Sequence, residues 1–303
     1  AIIITSCSFL IGSVSAGTSE ALEFPCGLNA TAYLDRENGT LTVKGTGHME
    51  FFRETRAPWW AYRQEIKNVI VEEGITQIAN VAFLDTKLEK ITLPSTLEKI
   101  GADALSMTDL EEIVIPENSK LLSCYVSSYF RNIPWYQNQP DGPVYLGNML
   151  LEYKGTAPAK TTITVKEGTY AINNYAFSNQ SNIVDVVVPE SVRRVGFRAF
   201  YSTAWYNKHP DYSVVYVGNV LYSYKTPWKS ETDVKDEYII PDGVVSISPV
   251  AFDGRFKYKT VVLPESLEYI SEQAFDSCNY IEKVVVPENS RLKKIDSLAF
   301  ADC

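Results

Sequence analysis

The stretch Leu88-Glu-Lys-Ile-Thr-Leu-Pro94 sets the architecture, because close copies of it recur along the chain. These copies are Leu110-Glu-Glu-Ile-Val-Ile-Pro116, Ile183-Val-Asp-Val-Val-Val-Pro189 and Ile281-Glu-Lys-Val-Val-Val-Pro287. Within each copy the alternation has a period of two, which is typical of a strand with one buried face, and the proline ends the strand. The sequence therefore predicts the same short strand many times over.

A second mark of the repeat follows each strand, where a small residue precedes a large apolar one, as in Ala82-Phe83. From Phe83 to Phe300 the large residues are spaced 22, 25, 47, 23, 52, 23 and 25 residues apart. A unit of this length falls within the leucine-rich-repeat range, and one coil cannot bury its apolar edge without a neighbour. We therefore expect a β-rich leucine-rich-repeat solenoid, right-handed and with parallel strands.

The two long intervals predict inserts near residues 131–160 and 201–236. Both inserts contain a Trp-Tyr pair and then a Gly-Asn pair between short apolar runs, which indicates a β-hairpin with a tight turn. Because the two long intervals are near two periods, we expect each to hold an inserted pseudo-coil, whose hairpin is a side structure on the solenoid. Packing onto the solenoid is the favoured role for the insert aromatics, and ligand stacking is the alternative. These aromatics are Trp135, Tyr136, Trp205 and Tyr206.

The chain divides into three parts. Residues 1–16 are uncharged and mostly apolar or small, which is typical of a signal peptide that lacks its start; a buried strand is the alternative. Residues 17–65, with a hairpin signal at Asn38-Gly39, are expected to cap the first coil. Residues 66–303 are expected to form the solenoid. No later segment is long and apolar enough to span a bilayer, so we expect an exported protein without membrane insertion.

Composition argues against several kinds of function. The chain has 303 residues, a net charge of -9 and only two histidines. Catalysis or metal binding by histidine is therefore not expected, and the chain has no excess of basic residues to neutralise the phosphates of a nucleic acid. Motifs of serine hydrolases, P-loop proteins, zinc proteases and dithiol sites are absent from the sequence. We expect no enzyme, with no catalytic, cofactor or metal residues and no nucleic-acid partner.

Four cysteines remain after removal of the signal: Cys26, Cys124, Cys278 and Cys303. Cys278 and Cys303 occupy the same repeat position on adjacent coils. We expect two reduced, buried thiols there, and a disulfide is the alternative.

One outward column of the strands is β-branched at every position, and the neighbouring outward column is polar throughout. Strand propensity explains such a column, and the alternative is a long apolar groove edged by charge that binds a ligand. Ile70 stands at the start of the column. The candidate ligand face comprises Thr92, Val114, Thr164, Val187, Ile239, Val262 and Val285.

The pattern Leu-x-x-Ile-x-Leu-Pro-x-x-Leu-x-x-Ile-Gly-x-x-Ala-Leu over residues 88–105, together with Cys278 after Ala274-Phe275, resembles the BspA-type leucine-rich repeat of bacterial surface proteins. The resemblance implies an extracellular or cell-surface protein that adheres to a protein or glycan of a host or neighbouring cell. A non-catalytic scaffold or targeting module of a larger secreted enzyme is the alternative.

Overall fold

A computed structural model describes residues 21–50, 56–225, 233–252, 254 and 256–303. The signal-peptide prediction for residues 1–16 lies outside the described residues. The chain forms a β-solenoid of about 10 turns with parallel strands, which confirms the predicted fold class.

The elements up to the first insert are β1 (Leu22–Gly27), β2 (Ala30–Asp35), β3 (Thr40–Gly45), β4 (Gly47–His48), β5 (Asn68–Val71), β6 (Ile75–Ile78), β7 (Lys90–Thr92), β8 (Lys99–Ile100), β9 (Glu112–Val114) and β10 (Ser123–Cys124). Then come α1 (Pro134–Gln137), β11 (Gly142–Leu146), β12 (Met149–Lys154), β13 (Thr161–Thr164), β14 (Ala171–Ile172), β15 (Ile183–Val187) and β16 (Arg194–Val195). The last elements are α2 (Ala204–Asn207), β17 (Ser213–Val217), β18 (Val220–Lys225), β19 (Lys235–Ile239), β20 (Ser246–Ile247), β21 (Tyr258–Val262), β22 (Tyr269–Ile270), β23 (Lys283–Val285) and β24 (Lys294–Ile295). Short 3-10 helices span Trp60–Tyr62 and Phe130–Asn132.

The strands stack in two rows. The outer row holds the strands that the repeat predicts, in three hydrogen-bonded sheets: β1-β2-β3-β5-β7-β9, β13-β15 and β19-β21-β23. The inner row holds a second, shorter strand from each coil, in the sheets β4-β6-β8-β10, β11-β12-β14-β16 and β17-β18-β20-β22-β24. Parallel register aligns equivalent residues, so that Val69 lies opposite Ile91 and Ile91 opposite Ile113. The inward apolar side chains therefore stack from coil to coil.

The small–aromatic pair forms a third ladder along the solenoid. The backbone N–H of Phe83 donates to the carbonyl of Ala104 at 2.9 Å, and the N–H of Phe177 donates to that of Ala199 at 2.7 Å. Residues in the left-handed backbone conformation flank the pair on both sides, as at Val81 (φ 53°) and Asp85 (φ 56°). A small residue is needed in this pair because the backbones of adjacent coils come within hydrogen-bond distance.

The N-terminal strands extend the outer row. The strands β1, β2 and β3 are antiparallel, and β3 then pairs in parallel with β5. The buried Trp59 stacks on Phe83 of the first repeat, with 5.8 Å between ring centroids. This arrangement is compatible with a cap over residues 17–65, whose sealing role stays a prediction.

The inserts are part of the stack, which agrees with inserted pseudo-coils, but their hairpins are not side structures, so that expectation was wrong. In the first insert β12 pairs in parallel with β14, with Met149 opposite Ala171. In the second, β18 pairs in parallel with β20, with Val220 opposite Ser246. The apolar runs of both hairpins face the interior, because Val144, Leu146, Met149, Val215 and Val217 are all buried. Each hairpin thus supplies the inner-row strand of an enlarged coil.

None of the four cysteines in the described part of the chain forms a disulfide. The reduced state of Cys278 and Cys303 agrees with the favoured expectation, but Cys303 is exposed and not buried. Its sulfur donates to the carbonyl of Phe275 at 3.1 Å, whereas the side chain of Cys278 lies fully within the core.

We expect an alkylating reagent at mildly alkaline pH to label Cys303 and to leave the three buried thiols unmodified in the native protein. Burial raises the pKa of Cys26 to about 11 and that of Cys124 to about 12, so neither forms much of the reactive thiolate. Peptide mass spectrometry measures the labelling, and denatured protein provides the fully labelled control. Rapid labelling of Cys124 in the folded state would contradict this placement.

Candidate functional site

The candidate ligand face lies on the outer row in the predicted register. Thr92 pairs opposite Val114, Thr164 opposite Val187, and Val262 opposite both Ile239 and Val285. Several of these side chains are strongly exposed for aliphatic residues: Val187 is 51% exposed and Ile239 62%. Thr92, Val262 and Val285 are half-buried, since adjacent outward side chains cover part of them.

The face is interrupted at both inserts, so a single long groove is not formed. Three segments result: Thr92 with Val114, Thr164 with Val187, and Ile239 with Val262 and Val285. The helix α2 accounts for the second interruption, because it lies against β15 where the next outer strand would pair. Lys208, just after this helix, donates to the carbonyl of Val184 and lies 3.6 Å from the carboxylate of Asp185.

The third segment borders an open cavity of about 530 Å³. Ile239, Val262 and Pro264 supply apolar walls, and Glu265 and Arg291 supply charge at the edge. Within the predicted face, this segment therefore combines exposed aliphatic side chains with a concave surface.

The insert aromatics pack mainly into the core. Tyr136 and Trp205 are only 4% and 7% exposed, and Trp135 and Tyr206 are half-buried. The ring of Trp205 lies 5.0 Å from that of Phe200, and the ring of Tyr136 lies 6.0 Å from that of Phe130. These contacts fit the packing role for Tyr136 and Trp205, although Tyr136 and Tyr206 also line open pockets.

Each insert forms a pocket at the same place in its coil. The first, of about 480 Å³, contains Arg131 and the buried Glu152, which make two hydrogen bonds of 2.9 and 2.7 Å to each other. The second, of about 360 Å³, has Tyr201 and Ser223 at the equivalent positions. We call the second the tyrosine pocket; its lining residues are Phe197, Arg198, Tyr201, Tyr206, Tyr222, Ser223, Tyr224, Pro249, Val250 and Ala251.

A polar cleft of about 290 Å³ lies along the inner row and was not foreseen from the sequence. It joins distant coils, since Arg194 donates to Asp296 at 3.0 Å although the two are 102 residues apart. Lys294 lies 3.1 Å from Asp296 and 3.5 Å from Glu98 of an early coil. Coils of an extended solenoid contact only their neighbours, so the inner row must be strongly curved. The cleft charges Glu98, Arg194, Lys294 and Asp296 thus pair with one another, which favours a role for these four residues in closing the curve.

The surroundings of Arg194 also include the aromatic ring of Tyr269, whose centroid lies 4.9 Å from the guanidinium carbon. Burial raises the pKa of the nearby Tyr170 to about 12, so its hydroxyl stays protonated at neutral pH. A pattern of 23 residues carries no signal for contacts of this kind, because they depend on the curvature of the whole stack.

Within the described ranges, no cluster of three or more His, Cys, Asp or Glu side chains has an arrangement that could hold a metal ion. The described part of the chain also contains no helix with the length and apolar character needed to cross a membrane.

Stacked coils with two rows of parallel strands and an exposed outer face define a β-solenoid repeat protein. The profile of the family described as BspA type leucine rich repeat region matches residues 60–134, 156–232 and 230–303, in six copies. The chain therefore belongs to this family. No curated protein matches the chain.

Solved structures include several similar chains. A leucine-rich repeat protein from Eubacterium ventriosum is 16% identical over 93% of this chain and 95% of its own, with a TM-score of 0.35. The pneumococcal vaccine antigen PcpA is 14% identical over 91% and 78%, with a TM-score of 0.24. A leucine rich cell surface protein from Faecalibacterium prausnitzii is 16% identical over 94% and 87%, with a TM-score of 0.23. At these scores the family assignment rests on the repeat profile alone.

Proposed function

We propose that the protein is a secreted or cell-surface binding module, without catalytic activity, that presents its outer face to an extracellular protein or glycan. The observation that carries the proposal is the third face segment, where Ile239 is strongly exposed beside Val262 and an open cavity. Strand propensity explains why these residues are β-branched, but it does not explain a concave surface with both apolar and charged walls next to them. Contiguous exposed apolar surface rimmed by polar groups is characteristic of interaction sites.

The charges around this segment favour a protein as its partner. The adjacent outward column reads Glu237, Thr260 and Lys283, in register across the same three strands. Protein interfaces combine an apolar centre with a polar rim, and the rim charges select the partner more than they add affinity. Glu237 and Lys283, at opposite edges of this sheet, provide such a rim.

The proposal is tested by replacing Ile239, Val262 and Val285 together by lysine. We expect this variant to lose binding to the proteins that the wild-type protein captures on an array of purified extracellular proteins. Three ammonium groups would have to be desolvated at the centre of the interface. The fold should survive, because outward substitutions change stability by about 0.5 kcal/mol or less each.

The matched control is the pair Thr92→Lys and Val114→Lys, which adds the same charge to the first face segment. This control should retain binding to the protein partner. Unchanged binding by the triple variant would contradict the assignment of the face, and a wild-type protein that captures nothing would contradict the binding function itself.

A further inference from the structure

The tyrosine pocket has aromatic walls that are fixed before any ligand arrives. The hydroxyl oxygen of the buried Tyr222 accepts the backbone N–H of Phe200 at 3.0 Å, and the two rings meet edge to face with centroids 5.6 Å apart. The ring of Tyr206 stands edge to face with Tyr222 at 5.9 Å, and its hydroxyl lies 3.2 Å from that of Ser223. Fixed side chains lose little conformational entropy on binding.

The mouth of the pocket is aromatic and carries one cation. Tyr201 is 45% exposed, and the guanidinium carbon of Arg198 lies 5.0 Å from its ring centroid. The same carbon lies 4.9 Å from the ring centroid of Phe197. The guanidinium thus lies over one face of each of these two rings, and the rings, the hydroxyl groups and the guanidinium together line the pocket.

The pocket of the first insert shows what is different about the second. In it, Nε and Nη2 of Arg131 donate to the two carboxylate oxygens of Glu152, so a bidentate ion pair occupies this part of the pocket. Tyr201 and Ser223 stand at these two positions in the tyrosine pocket and place a ring and a hydroxyl there instead. The chain thus contains two versions of one pocket, one with an internal ion pair and one with a tyrosine ring and a serine hydroxyl at the two equivalent positions.

We infer that the tyrosine pocket binds a neutral sugar residue of a glycan. This inference rests on the proposed binding function, and the pocket lies apart from the outer face. A pyranose ring offers C–H groups that stack on aromatic faces and hydroxyls that hydrogen-bond at its edge. The hydroxyl pair of Tyr206 and Ser223 and the guanidinium of Arg198 are polar groups that such a hydroxyl edge can meet, whereas an aliphatic peptide side chain offers no hydrogen-bonding group. The volume is at the lower end of small-molecule sites, roughly enough for one or two sugar rings.

The test measures binding of neutral hexasaccharides by calorimetry, with β-1,4-linked glucose, β-1,4-linked N-acetylglucosamine, α-1,6-linked mannose and β-1,4-linked galactose as probes. We expect at least one to bind the wild-type protein. Tyr201→Ala should weaken that binding about tenfold or more, since a stacked ring is lost. Tyr125→Ala removes a comparably exposed tyrosine outside the pocket and should have no effect.

A second variant combines Tyr201→Arg with Ser223→Glu and so rebuilds the ion pair of the first insert inside the tyrosine pocket. We expect it to fold with an unchanged melting temperature and to lose saccharide binding. Saccharide binding by this variant at wild-type strength, or binding of none of the four probes at millimolar concentration, would overturn the inference.

The outer-face triple lysine variant separates the two proposals. It should keep saccharide binding while losing its protein partner. Loss of the saccharide site with an intact protein interaction would overturn only the tyrosine pocket.

Discussion

Replacing Asn173 by alanine should lower the free energy of unfolding by about 3 kcal/mol or more, the cost of leaving several buried polar groups unpaired. Asn173 is 1% exposed, and its amide nitrogen donates to the carbonyls of Cys124 at 2.8 Å and Leu151 at 3.2 Å. Its amide oxygen accepts the N–H of Cys124 at 3.2 Å. The first hairpin lies between β10 and β14 in the chain, and among the described strands β10 pairs with β8 only. The side chain of Asn173 therefore makes the hydrogen bonds to the backbone of Cys124 that a neighbouring strand would otherwise make.

Chemical denaturation measures this effect. Asn138→Ala serves as the control, because Asn138 is exposed, and should change stability by about 0.5 kcal/mol or less. If Asn173→Ala lowers the free energy of unfolding no more than the control does, the hairpin does not enter the inner row as described.

Phe275→Ala should cost about 3–5 kcal/mol, the usual range for a fully buried phenylalanine. Its ring is stacked between those of Phe252 and Phe300, with centroids 4.7 and 4.9 Å away and planes within 7° of parallel. Because each coil is stabilised mainly by its neighbours, the loss should fall on the last coils first. Hydrogen exchange should therefore accelerate in β22, β23 and β24 before β5 and β7.

Phe300→Ala is the matched control for this ladder. Phe300 stacks on one neighbour and is half-buried, so its loss should be clearly smaller. Equal effects of the two substitutions, or uniform exchange along the chain, would contradict coil-by-coil stabilisation by the ring ladder.

The outer row was predictable because its strands carry a period-two pattern, as in Ile91 and Leu93, and because that pattern recurs. The inner row was not, since most of its strands are two residues long, as at Lys99–Ile100, and show no periodicity. The hairpins were correctly located, but their burial was missed because the same alternation suits a surface hairpin and an inner strand. Asn173 carried no clear signal, because the equivalent position of other coils holds residues as different as Gly101, Tyr125, Ser271 and Asp296.

The candidate face was predicted residue by residue, yet its division into three segments was not. The repeat length and the alternation of apolar and polar residues describe the strand within one coil. The interruption of the face at α2 depends instead on how the enlarged coil packs against β15. The polar cleft was beyond sequence reasoning for the same reason. Arg194 and Asp296 meet only because the curvature of the inner row brings their coils together.

Hydrogen–deuterium exchange of the protein with and without its captured protein partner tests the binding account most directly. If the third segment of the outer face binds the partner, backbone amides should exchange more slowly in the complex at Lys235–Ile239, Tyr258–Val262 and Lys283–Val285. Exchange in the first outer strands, Asn68–Val71 and Lys90–Thr92, should not change. Protection confined to the inner cleft or to residues 21–50, with the three C-terminal outer strands unaffected, would contradict it.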